Sequence, residues 1–236
     1  MSKKFKGKIC VYCGVEGISE TADHVIAREF MPVAHRDSIP KVAACGPCNN
    51  AKSQLEHYLV AVLPFGSRHP TASVMLDTEV PRRLAGNRRL HRDLAAGHQE
   101  AWLTENGITQ RTITLPFHGE KLDALFALMT RGLAAHHFGV VIPKDYFIGA
   151  GTLASVAEPL MTSLLTMNAR AKVTRSLGDG LINYDGAQAT DDPHLTVWRY
   201  RVYGGVTLSD ADSPAEMPDT IWASSSRLRS QSVFSL

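Results

Sequence analysis

No cysteine occurs after residue 48. The 236-residue chain has four, paired as Cys10-Val-Tyr-Cys13 and Cys45-Gly-Pro-Cys48, so no thiol remains for a distant disulfide. No run of about 18 apolar residues exists, and no membrane span is expected. The Lys-rich start passes straight into Ile-Cys-Val-Tyr-Cys-Gly rather than a continuous apolar segment, so no signal peptide is expected. These absences fit a reducing cytoplasmic location, where paired cysteines more often hold metal than form disulfides. Strong net charge is missing too. Lys and Arg number 25 against 23 Asp and Glu, leaving +2, so composition alone does not announce a nucleic-acid binder. No internal repeat or low-complexity tract stands out.

What remains is the composition of an ordinary globular protein, 44% hydrophobic and 20% charged, so the core need not depend wholly on metal. Charge is concentrated locally. Lys3, Lys4, Lys6 and Lys8 form a basic arm, and Arg82, Arg83, Arg88, Arg89 and Arg92 a second basic stretch. Each is equally a phosphate attractor and a solvated face.

The pattern reads as an α+β protein in two units. Residues 1–63 form the first, in the order strand, loop, strand, helix. Strands are expected at 8–13, 21–26 and 41–45. A helix is expected from about Cys48, with Leu55, Tyr58, Leu59 and Val62 at helical spacing and Pro64 and Gly66 as its stop. Residues 64–80, rich in Pro, Ser, Thr and Gly, read as a linker. Residues 81–236 read as a mixed α+β accessory unit. Its helices are expected at 82–102, 120–137 and 152–167, the last regular from about Glu158 because of Pro159. Its strands are expected at 112–117, 195–203, 206–208 and 220–223.

Two C-x-x-C pairs turn the backbone sharply enough to converge four thiolates on one cation. Such a site has no open position, so Cys10, Cys13, Cys45 and Cys48 predict a structural zinc rather than a catalytic one. Between and after the knuckles lie Ala22-Asp23-His24-Val25-Ile26 and Cys48-Asn49-Asn50-Ala51-Lys52-Ser53. With these the stretch Cys10 to Ser53 resembles the HNH endonucleases, ββα-metal nucleases, with an embedded four-cysteine zinc site.

The resemblance implies a DNA phosphodiester hydrolase, with RNA a less favoured substrate. It implies His24 as general base, since a neutral imidazole titrates near working pH and can take a proton from attacking water. It implies Asp23 and Asn49 as oxygen ligands of one Mg²⁺ or Mn²⁺, a hard cation that needs few protein donors when substrate phosphate adds others. Neighbours on a strand point to opposite faces, so Asp23 and His24 can share a site only where the strand bends or ends. The family's middle Asn falls near Pro40 and its last His on Ser53, which leaves Asn49 to carry the helix contribution nearly alone.

Lys52 near the helix start and Arg28 in the loop are the candidate substrate contacts, with His35 beside Arg28. His57, His136-His137 and Trp198-Arg199-Tyr200-Arg201 read first as packing or surface residues. Adjacent histidines on a helix diverge by about 100° and rarely share an ion. Residues 81–236 carry no catalytic signature and are expected to recognise the target, dock a regulatory partner or support a homodimer. Phage defence, restriction and mobile-element roles all fit. Two other readings stay open: a non-catalytic zinc-knuckle nucleic-acid-binding protein, and a nuclease subunit that is silent until a partner engages it.

Overall fold

The computed structural model describes residues 4–105, 107–153, 157–167, 169–206 and 220–227. The fold is mixed α and β. Strands β1 (Thr21–His24) and β2 (Lys41–Ala44) pair antiparallel, with Asp23 opposite Val42 and His24 opposite Lys41. Helix α1 (Gly46–Val62) follows at once, with Cys45 as its extended N-cap and Pro47 in its first turn, where a missing amide costs nothing. The first sixty residues therefore run hairpin then helix, with a long irregular loop between the strands.

Residues 8–13, expected as a strand, form turns instead. Gly14, at φ +69°, donates its amide to the Cys10 carbonyl at 2.8 Å, and that left-handed turn wraps the chain back on itself. The stretch 64–80, expected as a linker, is folded and packed. It holds most of a 3₁₀ turn (Leu63–Gly66), helix α2 (Thr71–Asp77) and the start of α3 (Glu79–Gly86), and it buries Pro64, Ala72, Met75 and Val80. The helix expected over 82–102 breaks at Asn87. The Asn87 side chain accepts from the Leu90 amide at 3.1 Å and caps α4 (Arg88–Gly97). A separate hairpin follows, β3 (Gln99–Glu105) with β4 (Ile108–Thr114).

Helix α5 (Gly119–Leu133) buries the expected stripe of Leu122, Leu125, Phe126, Met129 and Leu133, then widens into a π-helical turn over Ala134–Phe138. Strand β5 (Phe147–Thr152), helix α6 (Glu158–Thr166) and strands β6 (Ala169–Leu177), β7 (Ile182–Ala189), β8 (Thr196–Val202) and β9 (Ile221–Ser226) complete the chain. The five strands form one antiparallel sheet in the order β5-β9-β8-β7-β6. The strand expected at 206–208 and the tail from Ser224 lie partly outside the described residues, at 207–208 and 228–236.

One hydrophobic core joins the two ends of the chain. Cys10, Tyr12, Val25, Phe30 and Val42 belong to the same buried cluster as Phe126, Tyr184, Trp198 and Tyr200. Helix α5 is the bridge. A Cβ at Gly132 would stand 2.6 Å from Val25 Cγ1, so the absent side chain lets α5 press against the residue after His24. The Tyr58 hydroxyl, on α1, accepts from the His118 amide at 2.9 Å and holds the entry to α5. No helix among the described residues is long and apolar enough to cross a membrane.

Candidate metal centre and the polar site beside it

The two knuckles meet because the hairpin and the start of α1 lie side by side. Val11 donates its amide to the Ala43 carbonyl at 3.1 Å and Glu20 donates to Ala44 at 3.0 Å, which draws the first knuckle onto the strand that leads to the second. The ligand atoms of Cys10, Cys13, Cys45 and Cys48 all lie within 4.8 Å of one another, and Cys13 Sγ is 3.9 Å from Cys45 Sγ. A tetrahedral zinc with arms of ~2.3 Å has sulfur–sulfur edges of about 3.8 Å, so the spacing suits that ion. None of the four is in a disulfide. The Cys45 amide donates to Cys10 Sγ at 3.4 Å. Burial pushes the Cys10 thiol up, but the amides of Cys45, Cys13 and Tyr12 outweigh it and bring it down to about 7. This set can hold a metal ion such as zinc. Among the described residues it is the one group of three or more His, Cys, Asp or Glu side chains with that geometry.

A second polar cluster lies beside the cysteines, and it is built around Lys52. This lysine has no exposed surface. Its ammonium donates to the His24 carbonyl at 2.8 Å, sits 3.1 Å from Asp23 Oδ2 and pairs with Glu56 one turn along α1. An ammonium has three N–H donors, and three oxygens surround this one. Lys52, expected at a phosphate, instead ties α1 to the end of β1.

Asp23 is 8% exposed. Its Oδ2 is shared by Lys52 and the Tyr12 hydroxyl. Burial and the Asp23 charge push the Tyr12 phenol well up, so it donates and does not ionise. No hydrogen bond to Oδ1 is made among the described residues. Burial likewise pushes the Glu56 carboxyl up to about 7, against the opposing pull of Lys52.

His24 is the last residue of β1, and its ring is half-buried. Burial lowers its pKa, and the charges of Lys41 and Arg28 lower it further. The ring has no hydrogen-bond partner among the described residues. The loop beside it is tied by backbone, since Val25 donates its amide to the Pro40 carbonyl at 2.9 Å. A buried proline therefore fastens the chain immediately after His24.

Asn49 lies in the first turns of α1, partly exposed, one helical turn before Lys52 and on the same face. About 4.5 Å of helix rise separates the two. Arg28 is exposed in the loop after β1. His35 lies farther off, with Nδ1 3.5 Å from Asp179 Oδ2. The structure thus gathers Asp23, the His24 backbone, Lys52 and the Asn49 face of α1, and leaves His35 with the sheet.

Sequence reasoning passed over Tyr12 and Glu56. Glu56 carried a readable signal: it is four residues after Lys52 and seven after Asn49, so all three share one helix face. Tyr12 carried none, because a residue inside a C-x-x-C turn has no periodicity to betray its direction.

His137 and the aromatic-basic strand take packing roles. The His137 ring nitrogen Nε2 meets the Tyr184 hydroxyl at 2.9 Å. Trp198 and Tyr200 are buried, while Arg199 pairs with Asp185 at 2.6 Å. Comparisons with protein-family models, with curated proteins and with solved structures find no match.

Proposed function

We propose that the protein is a zinc-stabilised, Mg²⁺- or Mn²⁺-dependent endonuclease of the HNH type that hydrolyses phosphodiester bonds in DNA. The observation that carries this reading is the placement of Asp23 and His24 at the end of a two-stranded hairpin, laid against the helix that bears Asn49 and anchored by a four-cysteine cluster.

The donor set suits a hard cation. Asp23 Oδ1 and the Asn49 side chain make no hydrogen bond among the described residues, and both are oxygen donors. Asp23 and Asn49 would hold the ion. A divalent ion bound there supplies Lewis acidity that offsets charge developing on the leaving 3′ oxygen.

The chain's own residues do the rest. His24, kept neutral by burial and by nearby Lys41 and Arg28, can accept the proton of a water attacking phosphorus. Lys52 and Tyr12 fix one oxygen of Asp23 and so set the direction of the other. Arg28, exposed beside His24, is placed to meet a phosphate oxygen. The cysteine cluster, loaded with zinc, would hold hairpin and helix in this relation without taking part in the reaction.

Binding of Mn²⁺ to zinc-loaded protein tests the reading, followed by the spin resonance of the free ion. One Mn²⁺ per chain should bind and should be lost in Asp23→Asn and Asn49→Ala. Wild-type protein that binds none defeats it.

A specific observation favours a second reading. Asp23 is largely buried and already has a cation, Lys52, at one oxygen. In a non-catalytic zinc-knuckle protein that binds nucleic acid, this ion pair would be purely structural. Such a protein gives salt-sensitive binding without turnover in any divalent metal.

A further inference from the structure

Five arginines fall between residues 82 and 92, and the polar site uses none of them. Arg82 and Arg83 lie on α3; Arg88, Arg89 and Arg92 lie on α4. All but Arg83 are exposed. Arg82 pairs with Glu79 at 2.7 Å, and Arg89 reaches Asp93 only at 4.0 Å. Arg88 and Arg92, one turn apart on the same face, meet no carboxylate among the described residues. The two helices therefore carry an uncompensated positive strip.

That strip connects to the polar site. Arg83 Nη1 lies 3.4 Å from His57 Nδ1, on α1. His57 is eight residues after Asn49, or about 12 Å along the helix. Asn50, Ser53, Gln54 and His57 fall at i, i+3, i+4 and i+7, a single ridge that is exposed or half-exposed throughout. A polyanion lying at Asn49 can follow this ridge to α3.

We propose that α3 and α4 form a second phosphate-contact surface, which grips the backbone of duplex DNA to one side of the bond presented to Asp23, His24 and Asn49. The inference deepens the nuclease reading and rests on it for the identity of the polyanion. Spacing sets a length requirement. The rise from Asn49 to His57 equals roughly four base-pair steps, so a duplex ending nearer than that to the bond loses these arginines. An acidic peptide is the other polyanion to weigh. A groove with an apolar floor of Phe65, Leu76, Val80 and Leu84 adjoins α4. Arg88 and Arg92 line this groove and Arg82, Arg83 and Arg89 lie outside it, so the positive charge runs past the cleft along both helices, as a backbone-tracking surface requires.

The test measures binding by fluorescence anisotropy, using full-length zinc-loaded protein without added magnesium. The probes are a labelled duplex of about 30 base pairs, one of about 8, and a polyglutamate peptide, over a salt series. Wild type is compared with the triple variant Arg88→Gln, Arg89→Gln, Arg92→Gln, whose melting is checked against wild type. The variant should bind the long duplex at least about tenfold more weakly. Its slope of log affinity against log salt should be shallower by ~2.7, three contacts at about 0.9 each. The short duplex, about 27 Å long, still covers the ~12 Å from Asn49 to His57, so it too should bind the variant more weakly. Unchanged affinity and slope on the long duplex overturn the proposal. So does failure of wild type to bind DNA, or a loss confined to polyglutamate. Because no cleavage is read, a protein that shows the predicted binding yet never cuts DNA keeps this surface and loses only the nuclease reading.

Discussion

Lys52 and Asp23 form an ion pair of 3.1 Å inside the fold, the lysine with no solvent contact and the aspartate with almost none. Two charges removed from water depend on each other and on their remaining partners, Glu56, Tyr12 and the His24 carbonyl. The pair also links the two segments on which the proposed chemistry depends, the end of β1 and the second turn of α1.

Replacing Lys52 by Met should therefore destabilise the protein by about 3–5 kcal/mol, because Asp23 and Glu56 are left buried with no cation. Glu56→Gln, which keeps the shape and removes a carboxylate that burial already holds up near pH 7, should cost less. Urea unfolding of the two variants checks the order. A Lys52→Met protein as stable as wild type would show that this lysine is not enclosed as described.

Cys45→Ser should lose the bound zinc, as a closed four-thiolate set does not tolerate loss of a ligand. Wild type should carry one zinc per chain by elemental analysis, and cobalt substitution should give tetrahedral thiolate absorption bands. Since the knuckles share a core with the five-stranded sheet, metal removal should lower the melting temperature of the whole chain in one transition. Two independent transitions would contradict the shared core.

Much of this was legible in the sequence. Spacing alone announces, from the two C-x-x-C pairs, the four-cysteine cluster that could hold a metal ion. The α5 stripe and the start of α6 at Glu158 follow from apolar period and proline chemistry. Other parts were hidden for physical reasons. Strand β6, Ala-Arg-Ala-Lys-Val-Thr-Arg-Ser-Leu, is an edge strand whose alternating inner face is mostly small, Ala169, Ala171 and Val173, so its apolar signal is weak. The stretch 64–80 has the Pro, Ser and Thr content of a linker, yet Ala72, Met75 and Val80 pack into the fold, and only tertiary contacts reveal it. Within the site, the cysteines announced themselves, but the inward turn of Lys52 did not: a lysine near a helix start reads as a surface cation until its partners are seen.

Gly132→Ala tests coupling across the molecule. Its new Cβ would meet Val25 Cγ1 at 2.6 Å and Cγ2 at 2.8 Å, next to His24. Overpacking of this kind costs about 1–3 kcal/mol. A matching fall in the rate of DNA cleavage is expected, although Gly132 is far from Asp23 in sequence. Thermal melting and a cleavage assay read the two effects, and an unaltered protein in both would remove α5 as the support of the site.

Acid sensitivity should trace to His137. Burial, with His136 and Arg175 nearby, lowers its pKa from 6.5 to about 4, while Tyr184 faces its ring nitrogen. A folded-state value below the unfolded one means stability that is complete above pH 6.5 and is lost as pH falls toward 4. His137→Phe should flatten stability against pH across that window. An identical slope in the variant would assign the acid loss elsewhere.

The most direct test of the nuclease reading is cleavage of supercoiled plasmid DNA by zinc-loaded wild type and by His24→Ala, each with Mg²⁺ or Mn²⁺. Wild type should nick or linearise the plasmid, and the variant should be slower by about 10²-fold or more, with zinc content and melting temperature unchanged. Equal rates in the two proteins, or a wild type inert with both ions, would contradict the account.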